Sequence, residues 1–404
     1  MQHIKSNRIF EVDILRGFAL FGIFLAHMLT WYSVGPLPEN IINHMSMFSR
    51  FIYKLNELFI SGKFFALFSF LFGLSFFLQI QSMKKMPGHP FIRYAWRITI
   101  LGFIGLVHFT FWLNDILSIY ALLGFLLIPT SKLSNRQLLI IGIILVINIP
   151  GKMMETVHFL FTKPENLNTD YWKAPGKSFY QTITHAGWKE LFLFNWDSWS
   201  DKIRFLIISG RIFITYGFFL LGIFAGRKGW FQNLREAKGI FKKILKYSFW
   251  VIVFAEIIRI LVFWLDAQFK LGWRQELISD FFVAILFNIR TAALICVYIS
   301  GLTLLTFLPN WKGRLVHFSN VGKMAITCYL SQTVFGLLLF YHVGFGLFGK
   351  TELWLNWLIT IILFGLQTLF CRIWIKKFNF GPVEWLWRSL TYFKWQPISK
   401  NGKL

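Results

Sequence analysis

Residues 12–34 read VDILRGFALFGIFLAHMLTWYSV. The only fixed charges in this run are Asp13 and Arg16, close to its start, and the only imidazole is His27. About 20 apolar residues in a helix cross the hydrocarbon core of a bilayer, so the run reads as a membrane-spanning helix. A short basic head precedes it and no small-residue cleavage site closes it, so it is expected to be retained rather than removed as a signal peptide. Nine further apolar runs follow, at 58–80, 98–112, 115–129, 137–149, 205–225, 247–265, 279–308, 324–343 and 353–371. The expected fold is all-α, a polytopic transmembrane bundle of about ten spans. Nine or eleven spans fit nearly as well, because runs 98–112, 115–129 and 137–149 are short. They are either tilted helices or a hairpin broken at Asn114 and Asp115.

Composition agrees. Hydrophobic residues make up 56% of the chain and charged residues 15%, against about 25% charged in soluble domains. A formal net charge of +24 would point to nucleic acid in a soluble protein. Here the basic residues gather between apolar runs, which excludes nucleic acid and favours lipid headgroups or an anionic cytosolic ligand. One set of loops carries Lys5, Arg8, Lys84, Lys85, Arg93, Arg97, Lys132, Arg136, the cluster 227–246, Lys312, Arg314, Lys323 and the tail 372–403. The alternate short loops carry only Arg50, Lys54, Lys270, Arg274 and Lys350. The positive-inside rule then puts both termini in the cytoplasm and the long segment 150–204 outside. That segment, rich in aromatic and polar residues, is expected to pack on the outer face. It divides the chain into a first half, 1–149, and a second half, 205–404, of five spans each.

An ionisable group inside a bilayer costs about 2.5–3.5 kcal/mol or more unless it is paired or wet, so each one needs a reason. Asp13 and Arg16 share a helix face and suit an ion pair. His27 lies three turns beyond Arg16 on nearly the same face, about 16 Å further along. Lys63, His108, Asp115 and Arg211 are expected at the depth of His27. Snorkelling at helix ends explains such a layer, and so does a polar cavity. Glu256 and Arg259 suit an intrahelical ion pair, and Arg290 needs a carboxylate, a carbonyl cage or an anionic ligand. Cys296, Cys328 and Cys371 have neither metal nor disulfide spacing, and no phosphate-binding glycine loop is present.

The run Glu11 to His27 strongly resembles the opening of the YeiB-like membrane proteins, within the wider superfamily of transmembrane acyltransferases that includes O-antigen acetylases and heparan glucosaminide acetyltransferase. Lys63-Phe64 and Leu67 to Gly73 resemble the family's second block, and Asp115 to Leu117 with Tyr120 to Gly124 its third. Gly322 to Ala325, with Tyr329 and Gln332, and Gly381 to Tyr392 resemble two C-terminal signatures. Many YeiB-like relatives carry Asn in place of His27, whereas the O-antigen acetylase branch carries an Arg-ten-residues-His pattern that Arg16 and His27 match. The resemblance implies an acyl-CoA-type donor, acetyl-CoA in the first place, as co-substrate rather than permanent cofactor. His27 is then expected as general base or transient acyl carrier, with Asp115 orienting it or holding the acceptor. Lys63 or Arg211 would stabilise the oxyanion, and Arg16 and Arg290 would bind donor or substrate. No metal is expected. The expected partners are the bilayer of a bacterial cell membrane, a small-molecule or cell-envelope acceptor, and a second copy of the chain in a homodimer. A transporter or exporter without acyl chemistry is the rival reading, and a sensory or structural protein a third.

The charge bias predicts that reporter fusions at Lys403 and within 165–180 report opposite sides of the membrane. Both fusions on one side would reject this topology.

Overall fold

The computed structural model describes residues 8–35, 42, 45–161, 177–269 and 277–400. Lys5, Lys270, Arg274 and Lys403, which enter the charge count, and part of the long segment lie outside the described residues. The described chain is helical. In order run α1 (Phe10–Leu29), α2 (Met47–Leu55), a π-helical turn (Asn56–Ile60), α3 (Phe64–Met83), α4 (Pro90–Phe111), α5 (Leu117–Thr130), α6 (Asn135–Val146) and α7 (Ile149–Phe161). Then come α8 (Lys177–His185), α9 (Trp188–Asp197), α10 (Trp199–Ile208), α11 (Arg211–Arg227), α12 (Leu234–Phe269) and α13 (Leu277–Leu305). The chain closes with α14 (Pro309–Lys323), α15 (Ala325–Phe340), α16 (Leu353–Lys377) and α17 (Pro382–Thr391).

Each of the ten apolar runs falls on these helices, but not as ten straight rods. Among the described residues six stretches are long and apolar enough to cross a membrane, and three bent pairs raise the number to as many as nine. The pairs are α6 with α7, bent by 43°, α10 with α11, by 66°, and α14 with α15, by 83°. The short α5 is the remaining run. Local chemistry sets these boundaries. Ser134 and Gln137 form a capping box at the start of α6, and Pro90, Pro309 and Pro382 open α4, α14 and α17.

Small residues decide which helices touch. A Cβ on Gly17 would meet the Phe318 carbonyl oxygen at 2.0 Å, and one on Gly322 the Asp13 carbonyl oxygen at 1.9 Å. So α1 and α14 run antiparallel with their backbones in contact. Gly73 against Phe219, at 1.9 Å, and Gly222 against Phe70, at 2.1 Å, do the same for α3 and α11. Close approach at small residues is how membrane helices pack when lipid supplies no hydrophobic drive between them. Each pair joins an early helix to a late one, so the stretches 1–149 and 205–404 interleave at these crossings, and the boundary expected at 205 falls within α10. At the periphery lies the hairpin of α12 and α13, whose apolar windows are only 6% and 17% buried. The basic first turns of α12 extend a helix of 36 residues, about 54 Å long, past a ~30 Å hydrocarbon core.

Gly322→Val should therefore lower stability by about 3 kcal/mol or prevent folding, because backbone rather than a flexible side chain must yield. Gly301→Ala, where nothing lies within 4 Å, should be neutral. Thermal unfolding in detergent compares the two.

Candidate functional site

Two breaks in the bundle face each other. Asn148 precedes α7 with φ +64° and Gly210 precedes α11 with φ +70°. The Asn148 amide donates to the Ser209 carbonyl at 3.2 Å, and a Cβ on Gly210 would lie 1.9 Å from Asn148 Oδ1. Only glycine fits there, on both conformation and space. Irregular backbone at membrane depth is tolerated where it is buried in protein or lines a cavity, and these breaks line one. It measures about 760 Å3, and its walls include His27, Asp115, Asn148, Lys202, Ser209 and Arg211 together with Phe64, Phe65, Phe205 and Phe287.

His27 reaches this cavity from the last turn of α1. Its ring packs edge-on against Trp112, centroids 4.6 Å apart, and against Tyr32 at 5.8 Å. Neither ring nitrogen has a hydrogen-bond partner among the described residues. Arg211, the first residue of α11, stacks over Phe65 at 4.4 Å, and its guanidinium likewise has no acceptor or ion pair among them. The two acids on the cavity wall do not neutralise it. Glu155 is paired with Lys152, and Asp115 is fully engaged elsewhere.

Asp115 does not orient His27. Its Oδ1 accepts from His108 Nδ1 at 2.7 Å and from the Leu117 amide at 3.1 Å, and Oδ2 accepts from the Ser118 amide at 2.8 Å. It thus caps α5 and fixes the His108 ring. His108 Nε2 meets Thr333 Oγ1 at 2.8 Å, and that hydroxyl accepts from Tyr32 at 2.9 Å. Lys202, contributed by the long segment, donates to the Asp115 carbonyl at 2.7 Å. Both nitrogens of His108 are occupied and the residue is buried, so the chain from Tyr32 to Asp115 is a clamp between helices.

Of the other expected site residues, Lys63 is 1% exposed and donates to the Glu57 carbonyl, securing the π-helical turn. Arg290 pairs with Glu256, which also accepts from Arg259 at 2.7 Å. Neither lines the cavity. Arg16 donates to Asp13 at 2.9 Å and to Ser75 at 2.6 Å. It lines a second cavity of about 200 Å3 at the opposite, basic end of the bundle, with Arg8, Arg97, Lys323, Glu384 and Trp387. Tyr120 lines both cavities. Its hydroxyl donates to the Phe65 carbonyl at 2.7 Å and lies 2.6 Å from Ser69 Oγ. Sequence spacing did not single out Tyr120, Trp112, Lys202 or Asn148. Tyr120 sits inside a quoted motif, and the Asn-Gly geometry at the breaks becomes visible only once the helices bend.

Residues 225–394 match the family described as a protein of unknown function, DUF418. Over nearly its whole length the chain is 28% identical to the uncharacterized protein YxaH of Bacillus subtilis (strain 168), covering 99% of this chain and 98% of YxaH. It is 26% identical to the uncharacterized protein YeiB of Escherichia coli (strain K12), covering 97% and 98%. The chain is YeiB-like. It is also similar, at 24% identity over 97% of its length and 96% of the relative's, to an uncharacterized 39.9 kDa protein in the amylase 3' region of Bacillus acidopullulyticus. No solved structure matches it. Two signatures of this YeiB-like chain meet in space. Glu384, in the Gly381–Tyr392 tail, accepts from the Ile326 amide at 2.6 Å, the Thr327 amide at 3.1 Å and the Thr327 hydroxyl at 2.6 Å. The tail thus caps α15 just after the bend at Gly322–Ala325.

Asp115→Ala should cost about 3 kcal/mol of stability, since it orphans His108 and two helix-end amides. His27→Asn should stay within about 1 kcal/mol of the parent. Thermal unfolding of the purified variants measures both.

Proposed function

We propose that the protein is a membrane acyltransferase working at His27. The observation that carries this reading is that one cavity wall holds both an imidazole and a guanidinium, Arg211, without hydrogen-bond partners among the described residues. The basic end is the cytoplasmic one, in a bacterial plasma membrane, and an acyl thioester of the CoA type approaches from there. His27 removes the proton of an acceptor hydroxyl or amine on the far side. The acceptor oxygen or nitrogen bonds to the thioester carbonyl carbon, and the oxyanion forms against the N–H fork of Arg211. The carbon–sulfur bond then breaks, and the thiolate recovers the proton from the imidazolium. Asp115 and His108 hold the wall through Trp112 and Tyr32 and do not touch the reacting atoms. The acyl arm passes the side chain of Tyr120.

A transport reading draws on a different observation. Three spans are bent, and the cavities lie on either side of one side chain, as at the broken helices of secondary transporters. That reading requires movement of a solute with no covalent change and no dependence on His27 as a base.

His27→Asn should remain folded and lose about 10²–10⁴-fold in acyl transfer to an envelope acceptor, or in acyl-CoA hydrolysis where no acceptor is supplied. Turnover near the parental rate would remove His27 from the mechanism.

A further inference from the structure

The cavity at the basic end is out of electrostatic balance. Arg8, Arg16, Arg97 and Lys323 line it, and among the described residues its only acid is Glu384. Both oxygens of Glu384 are taken by donors at the start of α15. Asp13 answers Arg16, which leaves Arg8, Arg97 and Lys323 without a carboxylate among the described residues. Arg97 is the informative group. Its guanidinium stacks on the Trp387 ring at 3.6 Å, and its Nε is buried with no acceptor. The charged side chains bearing on it are Arg16 and Arg388, both of its own sign. Residues 1–7, next to the cavity in sequence, contain no acid that might reach it. A half-buried cation without a carboxylate is among the costlier features a membrane protein keeps. A guanidinium held flat against an indole keeps its N–H fork in one plane, which suits bidentate contact with phosphate oxygens.

We propose that this cavity is a binding site for a phosphate-type oxyanion, with Arg97 as the principal ligand-holding residue and Arg16 and Lys323 completing the charge. At about 200 Å3 it is smaller than the roughly 300–1,000 Å3 pockets that enclose whole drug-sized ligands. It takes a phosphate or pyrophosphate group and leaves the rest of the ligand outside or directed toward Tyr120. The phosphate comes either from a soluble cofactor-like molecule or from a lipid headgroup. The site does not depend on chemistry at His27, and a transporter of the same fold would carry it equally.

The test uses the full chain in phosphatidylcholine nanodiscs, titrated calorimetrically with pyrophosphate and with CoA. A second arm replaces part of the lipid with phosphatidylglycerol and reads the thermal midpoint. Saturable binding that weakens as salt rises, and weakens about tenfold or more in Arg97→Gln, is the expected result. Lys228→Gln, a cation of the same end that lines neither cavity, should bind like the parent. Where Arg97→Gln fails to fold, Arg97→Lys and Lys323→Gln carry the comparison, each with a smaller loss. A midpoint shift with phosphatidylglycerol alone, abolished by the same substitutions, assigns the phosphate to lipid. No binding in either arm, or binding unchanged in the Arg97 and Lys323 variants, overturns the proposal. Binding that follows Arg97 in a protein without acyl transfer leaves this site standing and removes the His27 chemistry. Acyl transfer with Arg97-independent binding does the reverse.

Discussion

Within hydrocarbon no water is available to a backbone group or charge that the protein leaves open. Yet this bundle is interrupted in three spans and crowded with ionisable residues, so its architecture depends on how the interruptions are closed. Asp115 does it for α5, Glu384 for α15, and the Asn148–Gly210 contact for the paired breaks before α7 and α11. Asp115 acts from just ahead of its own helix, the other two closures are made by residues distant in sequence, and each sits beside one of the two cavities. The openings are possible because the caps hold, and the caps hold because glycines at the α1–α14 and α3–α11 crossings bring the helices within reach.

The same constraint sorts the charges. Lys63, Asp115 and Arg290 are satisfied by the protein's own groups and serve the frame. His27, Arg211 and Arg97 have no hydrogen-bond acceptor or ion pair for their side chains among the described residues, and all three line cavities. Proximity in depth cannot make that distinction, since His108 and His27 both pack edge-on against the same Trp112 ring. One imidazole has both nitrogens occupied, and the other has neither bonded among the described residues.

The spans were legible in the sequence because a bilayer imposes a length and an apolar composition that few other environments demand. The Arg16–His27 axis was legible because a helix fixes both rise and facing. The pairing of Asp115 was not. Seven residues separate it from His108 across a helix end, and the turn at 112–116, not any periodicity, brings their side chains to 2.7 Å. The bends were hidden for a similar reason: the runs at 137–149, 205–225 and 324–343 are continuous in hydropathy, nothing sets Asn148 or Gly210 apart until their neighbours are known, and Gly322 entered only as part of a signature. Arg97 counted only as one more basic residue at the inner end. Its isolation follows from Trp387 and Glu384, almost 300 positions away.

The central claim is that the two cavities meet at Tyr120 and open to opposite sides of the membrane. Cysteine accessibility tests it most directly. With Cys296, Cys328 and Cys371 replaced, Ser61→Cys places a thiol in the larger cavity and Gln79→Cys places one in the smaller. A membrane-impermeant maleimide applied to oriented vesicles should label the first only from the outer face and the second only from the inner face. Labelling of both positions from the same face, with Tyr120 intact, would contradict the account.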